Sequence, residues 1–313
     1  MRKFIYFGYY ITKLDWKLLI KFYKYTLSNS KYNFLGLIID NIYCVFKYNI
    51  SILEFFQFRF FEKNHSERNL WAGTGFMYDT IKILNPEKER FKLNDKIYFL
   101  SYYTPFIKHN FVSLDLLKSE KDIHFDLHQK LVLKNSTGQC GWGVEVNNDM
   151  NLTREELITK LELKKNDLVE EFIYQHDDLQ KMSPSGLNTL RIFTTLNSKD
   201  EVDILGVRLR ISINSIVDNM AAGNVAAPVD ENTGIVNGPG VYSDITKKPE
   251  FKHPVTGVDI IGFKIPFYKE AVQLVIDAAL FDKGNRSIGW DIAISNSGPS
   301  FIEGNHDWCK LVW

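Results

Sequence analysis

Asp291, Glu303 and Asn305 are three oxygen-bearing side chains near the C-terminal end of the 313-residue sequence, spaced by 12 and 2 positions. Period two puts Glu303 and Asn305 on one face of an extended segment. The run Trp290-Asp291-Ile292-Ala293-Ile294, a turn at Asn296-Ser297-Gly298 and the run Ser300-Phe301-Ile302-Glu303 read as a hairpin, which brings Asp291 opposite that end of the second strand. Three converging oxygens suit a hard cation, and Mg2+ held between carboxylates and nucleotide phosphates is the usual chemistry. Acids merely solvated at a strand end are the alternative.

Leu131-Val132-Leu133-Lys134 reads as a short strand ending in a lysine. The loop Asn135-Ser136-Thr137-Gly138-Gln139-Cys140-Gly141-Trp142-Gly143 follows. Glycines let backbone N–H groups approach a phosphate closely, and the lysine adds a point charge. The order is GxxGxG with no helix immediately after it, so a Rossmann site is excluded. A glycine-bearing hairpin turn with an incidental lysine is the alternative. Arg191 sits in the apolar run Asn188-Thr189-Leu190-Arg191-Ile192. An arginine there needs an anion, either a protein carboxylate or a phosphate. Arg208 and Arg210 alternate along one strand and face one side, as partners for an anionic acceptor or an acyl phosphate, or as structural ion pairs.

The elements that must position these groups are of mixed type. Thr153 and Glu156 form a capping box at a helix start. Residues 168–173, 189–196 and 202–213 are strand-like. Pro266 to Leu280 is helical, with Phe267, Ala271, Leu274, Val275 and Ala278 on one face. The pattern predicts an α+β protein with a largely antiparallel sheet. Lys+Arg and Asp+Glu both number 38, which argues against a nucleic-acid binder. CxxC, HExxH and GxxxxGK[ST] are absent, which excludes zinc fingers, zincin proteases and Walker-A NTPases at motif level. Three scattered cysteines argue for a reducing, cytoplasmic compartment. Neither a secretory signal nor a transmembrane helix is expected. Phe34 to Phe46 is interrupted by Asp40 and Asn41, and spanning takes about 20 apolar residues.

Residues 1–63 differ from the rest. They hold 19 of the 44 aromatic residues and ten Lys/Arg against four Asp/Glu. Basic residues among large aromatics suit a surface resting on anionic lipid, peripheral to the inner face of a membrane, or on a partner. A helical layer packed on the rest of the protein is the alternative.

Taken in order, the lysine–glycine loop, Glu170-Glu171-Phe172-Ile173-Tyr174-Gln175-His176, Asn188-Thr189-Leu190-Arg191-Ile192 and Asp291…Glu303-Gly304-Asn305 resemble the ATP-grasp enzymes. Leu93-Asn94-Asp95-Lys96, Val217-Asp218-Asn219, His253-Pro254-Val255-Thr256-Gly257 and Ile288-Gly289-Trp290-Asp291 look like the sugar-transfer-associated group. The resemblance runs from about residue 50 to about 307. It implies an ATP-grasp fold, two α+β subdomains gripping ATP, with a helical region over 1–92, a lid over 93–169 and a core with the Mg2+ site over 170–313. Lys134 and Lys96 would be the nucleotide lysines. The loop carrying Thr137, Gly138, Gly141 and Gly143 would close over the triphosphate. Glu170, Glu171, Phe172 and Ile173 would form the adenine hinge, and Glu171 or Asp178 would take the ribose. Arg191 would meet the γ-phosphate. Arg208 and Arg210 would hold the acyl group. Asp291, Glu303 and Asn305 would hold Mg2+. Asn188, Asn219 and Gly223 would face the acceptor, although Gly223-Asn224 stands where Gly-Gly is expected. The implied reaction is carboxylate–amine ligation through an acyl phosphate, on a sugar acid or glycan-linked carboxylate. A sugar kinase and a non-catalytic partner of glycosyltransferases are the other readings.

Overall fold

The computed structural model describes residues 2–119, 125–138 and 143–307. They fall into two compact units. One comprises 2–84 with Tyr242–Lys248, the other Asn85–Val241 with 249–307.

The first unit is helical. Helices α1 (Arg2–Thr12), α2 (Trp16–Asn29) and α3 (Phe34–Tyr48) begin it. The side chain of Asp15 accepts from Leu18 N–H at the start of α2, and that of Asn33 accepts from Gly36 N–H at the start of α3. Each thereby satisfies a donor that the helix start leaves open. The core is phenylalanine-rich: Phe22, Phe55, Phe56, Phe58, Phe60 and Phe61 pack with Leu37, Cys44 and Ile245. Arg68 is buried against it. Its guanidinium donates to both oxygens of Asp40, at 2.8 and 2.7 Å, and to the carbonyl of Phe60.

The second unit holds two antiparallel sheets. The smaller joins β1 (Phe111–Ser113), β2 (Leu131–Lys134), β3 (Glu145–Asn147) and β4 (Leu168–Glu171) in the order β1-β4-β2-β3. The larger joins β5 (Thr189–Leu196), β6 (Val202–Ile211), β7 (Val225–Val229), β8 (Ser287–Ser295) and β9 (Gly298–Asn305) in the order β7-β6-β5-β8-β9. The expected division at 169/170 falls inside β4, and that at 92/93 inside the helix Glu87–Asn94. The Thr153–Glu156 capping box forms as expected and starts the helix Arg154–Lys164. That helix buries Leu157 and Leu161 against Leu131, Leu133 and Val169 of the smaller sheet. The helix Tyr268–Phe281 buries Ala271, Val275 and Ala278. Trp290 is fully buried. It stacks on Phe301 at 4.8 Å and donates to Thr194 Oγ1 at 2.8 Å. Period two along β8 sends Asp291 to the opposite face. No helix among the described residues is long and apolar enough to cross a membrane.

Candidate active site

The turn between β8 and β9, with a bulge beside Asp291, sets the register of the site. Gly298, at φ +106°, takes a backbone conformation that a side chain would strain, and Ser295 pairs with Gly298. Counting back from there would set Asp291 against Ile302; a β-bulge between Asp291 and Ile292 shifts the register by one residue and brings Asp291 opposite Glu303, the residue that the hairpin reading set across from it. The next strands extend the row. Asp291 also faces Arg191 on β5, and Arg191 faces Arg208 on β6. Directly opposed residues share a sheet face. Arg208, Arg191, Asp291 and Glu303 therefore form one rung across four strands, and Arg210 lies two residues from Arg208 on the same face.

The middle of the rung, Arg191 and Asp291, is buried, as is Arg210, while Arg208 and Glu303 at its ends are half-buried. The Arg191 guanidinium forks onto Asp291, Nε to Oδ1 and Nη2 to Oδ2, the latter at 2.6 Å. Arg210 donates to Asp291 Oδ2 at 2.7 Å and ion-pairs Asp218 at 2.8 Å. Burial alone would raise the Asp291 carboxyl, but Arg191 and Arg210 overcome it and hold it well below the usual range. Burial and the facing Asp291 push Glu303 up, against the charge of Lys96. Asn305 donates to Glu303 Oε1 at 3.3 Å. Among the described residues no three His, Cys, Asp or Glu side chains form a metal group, so the candidate cation set is two carboxylates and an amide. Two acids forced together out of water, one pushed towards its protonated form, are a donor set that fits a divalent cation. Arg208 differs from its neighbours. Its guanidinium donates to the Val207 carbonyl at 2.8 Å and has no acid in ion-pair contact among the described residues. Burial lowers its pKa, with Glu231 acting the other way.

The smaller sheet supplies a second charged cluster. Val132 pairs with Glu170, and Lys134 lies two residues on, so both charged side chains reach one face. Lys134 Nζ is 2.8 Å from Glu170 Oε2, and His109 Nε2 is 3.2 Å from the same oxygen. Burial would raise Glu170, but Lys134 and His109 hold it down at about 2. Its other oxygen, Oε1, is buried with no partner among the described residues. At the hinge, Glu171 N–H donates to Asn110 and Phe172 N–H to Lys130, which leaves the Ile173 peptide without a backbone partner among the described residues. The Glu171 carboxylate is spent inside the protein. It accepts from Asn110 N–H and side chain and from Gln129, so of the two ribose candidates Asp178 is the one left at the surface.

Lys96 links this sheet's loop to the rung. Its N–H donates to the Ser136 carbonyl at 3.0 Å, and its ammonium donates to the Gly138 carbonyl. Thr137 folds onto Asn135 Oδ1 through both N–H and hydroxyl. Gly143 has φ +78°. Gly141 lies outside the described residues.

The residues expected to face an acceptor are tied into the protein's own hydrogen bonds to different degrees. Asn188 is consumed internally: its amide nitrogen donates to Gln175 and the Ser183 carbonyl, and its oxygen accepts from Ser212. Asn219 accepts through its carbonyl from Ala222 N–H and from the Asn224 side chain. Gly223 turns the chain at φ +87°. The departure at Asn224 has a structural reason. Its side chain is fully buried, accepts from Ile213 N–H at 2.7 Å and donates to Val217 and Asn219, stapling the loop. Sequence reasoning missed His109, which stands before β1 in no recognisable spacing. It quoted Asp218 only as part of a string, without its charge pairing to Arg210.

An antiparallel sheet that ends a strand in Lys134 and a second antiparallel sheet that carries a charged rung are the arrangement expected of the ATP-grasp class. The chain belongs to the sugar-transfer associated ATP-grasp family, whose description matches residues 81–312. No curated protein sequence matches it. Among solved structures it is similar to the biotin carboxylase domain of Hydrogenobacter thermophilus 2-oxoglutarate carboxylase, solved with MgADP and bicarbonate. That match has 16% identity and a TM-score of 0.43, covering 75% of this chain and 47% of that one. It is also similar to Bacillus anthracis D-alanine–D-alanine ligase complexed with ATP, at 16% identity and a TM-score of 0.37, covering 68% and 55%. Campylobacter jejuni biotin carboxylase matches at 12% identity and a TM-score of 0.44, covering 70% and 41%. The chain spans about half the length of these solved proteins.

Proposed function

We propose that this chain is an ATP- and Mg2+-dependent ligase that joins a carboxylate to an amine through an acyl phosphate. The observation that carries this reading is the rung Arg208–Arg191–Asp291–Glu303 with Arg210 beside it. Phosphoryl transfer calls for positive charge around the phosphates and a metal-binding acid set, with no protein nucleophile. The rung supplies both in one row. Arg208, half-buried without an acid in contact, suits an anion brought by substrate, such as the reacting carboxylate. Glu170 Oε1, a buried acceptor with no donor among the described residues, and the Ile173 peptide, without a backbone partner among them, suit the amino edge of adenine. Lys134 and Lys96 are the cations for the phosphates, with the loop at Thr137, Gly138 and Gly143 beside them. Asp178 is the acid for the ribose. Asp291, Glu303 and Asn305 would hold Mg2+, which when bound offsets charge on the phosphate oxygens.

The family's association with sugar transfer points to a sugar acid or a glycan-linked carboxylate as acceptor and an amino acid or amine as its partner. The test rests on the intermediate. A carboxylate oxygen attacks the γ-phosphorus of ATP, ADP leaves, and the amine then displaces phosphate. Hydroxylamine intercepts the mixed anhydride. With ATP, Mg2+ and a panel of sugar acids, a hydroxamate and one ADP per product are expected. A phosphomonoester as the sole product would reject the ligase for a kinase. ATP binding with neither product, across the panel, would leave a nucleotide-binding partner protein.

A further inference from the structure

Helix α3 exposes a row that an ordinary water-facing helix does not. Asp40 is the only charged residue from Phe34 to Phe46, and it turns inward onto Arg68. Leu35, Ile39, Ile42 and Tyr43, at helical spacing, remain on the outer side, with Leu35 69% and Ile39 67% exposed. A solvent-facing helix stripe is normally polar, and single exposed apolar residues are common whereas continuous rows are not. This row continues at both ends. Phe46, one turn beyond Ile42, contacts Phe4 and Phe7 of α1 at 5.2 Å each, and Phe4 is 70% exposed. At the other end Phe34 contacts Tyr23 of α2 at 6.3 Å, and Trp16 and Ile20 are exposed along that helix.

The exposed charge around the row is mostly basic. Lys3, Lys13, Lys17, Lys24, Lys31 and Lys47 are exposed on the same helices and their connections. The four acids of residues 1–63 are each engaged. Asp15 caps α2, Asp40 pairs with Arg68, buried Glu54 accepts from Ser51 and Thr74, and Glu62 pairs with Arg59. A second copy of the chain would bring the same lysines against these lysines, and like charges repel. Large aromatics and lysines around an apolar row, on helices that cannot span, match an interfacial surface on anionic lipid.

We propose that α1, α2 and α3 rest on an anionic bilayer, with the row from Trp16 to Phe4 at the headgroup–acyl boundary and the lysines on the headgroups. This stands apart from the reading of the ATP site. The test is flotation of the full chain with vesicles of phosphatidylcholine alone or of equal parts phosphatidylcholine and phosphatidylglycerol. Binding to the mixed vesicles only, released by salt, is expected. Ile39→Glu should lower the partition about tenfold or more, and Lys17→Gln or Lys47→Gln about fivefold each. All three positions are exposed, so the melting temperature should stay at the wild-type value. Leu35→Asn repeats the test if Ile39→Glu fails to fold. Absence of flotation, equal binding to neutral vesicles, or unchanged binding by the variants overturns the proposal. So does a solution dimer that Ile39→Glu dissociates, which would assign the row to a second copy.

Discussion

The two sheets of the second unit both bury charge, and they do so differently. In the smaller sheet one carboxylate, Glu170, serves Lys134 and His109. A lysine ammonium is a point charge on a flexible stem and can exchange one oxygen partner for another. In the larger sheet Asp291 is gripped by Arg191 and Arg210, and Arg210 also holds Asp218. Arginines stay charged and their planar forks fix geometry. The smaller sheet therefore carries a charge that a ligand can redirect, while the larger sheet carries a frame. The difference predicts that substitutions in the frame act mainly on folding and turnover, and those in the smaller sheet mainly on nucleotide affinity.

The largest effect should follow Asp291→Asn. It leaves two buried arginines with less charge to meet, and breaking such a buried pair costs about 3–5 kcal/mol. Urea unfolding measures it; a cost below about 1 kcal/mol would mean that the rung behaves as a surface pair and would erase the contrast between the sheets. Glu303→Gln probes the same frame with the opposite sign for stability. Its carboxyl is pushed up by burial and by Asp291, so removing the charge relieves the fold. Turnover should nonetheless fall about 10²-fold or more, because charge on the phosphates loses its counterpart. Near-normal turnover with Mg2+ would make Glu303 structural. Lys134→Ala moves to the other sheet. ATP binding should weaken by about 1.5–3 kcal/mol, read by calorimetry, and unchanged affinity would take Lys134 out of the nucleotide site.

The smallest effect concerns acid stability. Glu170 is held at about 2 against an ordinary 4.5, so its stabilising contribution is full above 4.5 and disappears as the pH falls towards 2. Glu170→Gln should flatten the dependence of the urea midpoint on pH in that window, by at most about 1.4 kcal/mol per pH unit. A slope identical to wild type would show that Glu170 titrates alike in the folded and unfolded chain.

Much of this architecture was legible in local pattern. The capping box at Thr153, the strand 189–196 and the hairpin turn at 296–298 depend on residues within a few positions of one another and form as read, and the strand expected over 202–213 forms over 202–211. The family's fold also followed from the order of short motifs. Less legible was the use of each polar group. Glu171 and Asn188 both meet protein partners that no local pattern announced; for buried Asn188 this is because a buried donor or acceptor takes whatever complementary group the packing brings.

The sequence by itself determined that Arg208 and Arg210 share a face, by strand alternation, and that a tight turn returns the chain so that Asp291 and Glu303 lie near one another. Their direct pairing on one face needs the β-bulge between Asp291 and Ile292, which only the tertiary structure shows. It also determined that the first 63 residues are basic and aromatic. Only the tertiary structure decided that Arg191 meets Asp291, 100 residues away, because that pairing depends on β5 lying between β6 and β8. It alone turned Asp40 inward onto Arg68 and left Leu35 and Ile39 outside. A helix has two sides, and which of them becomes the core is settled by what packs against it.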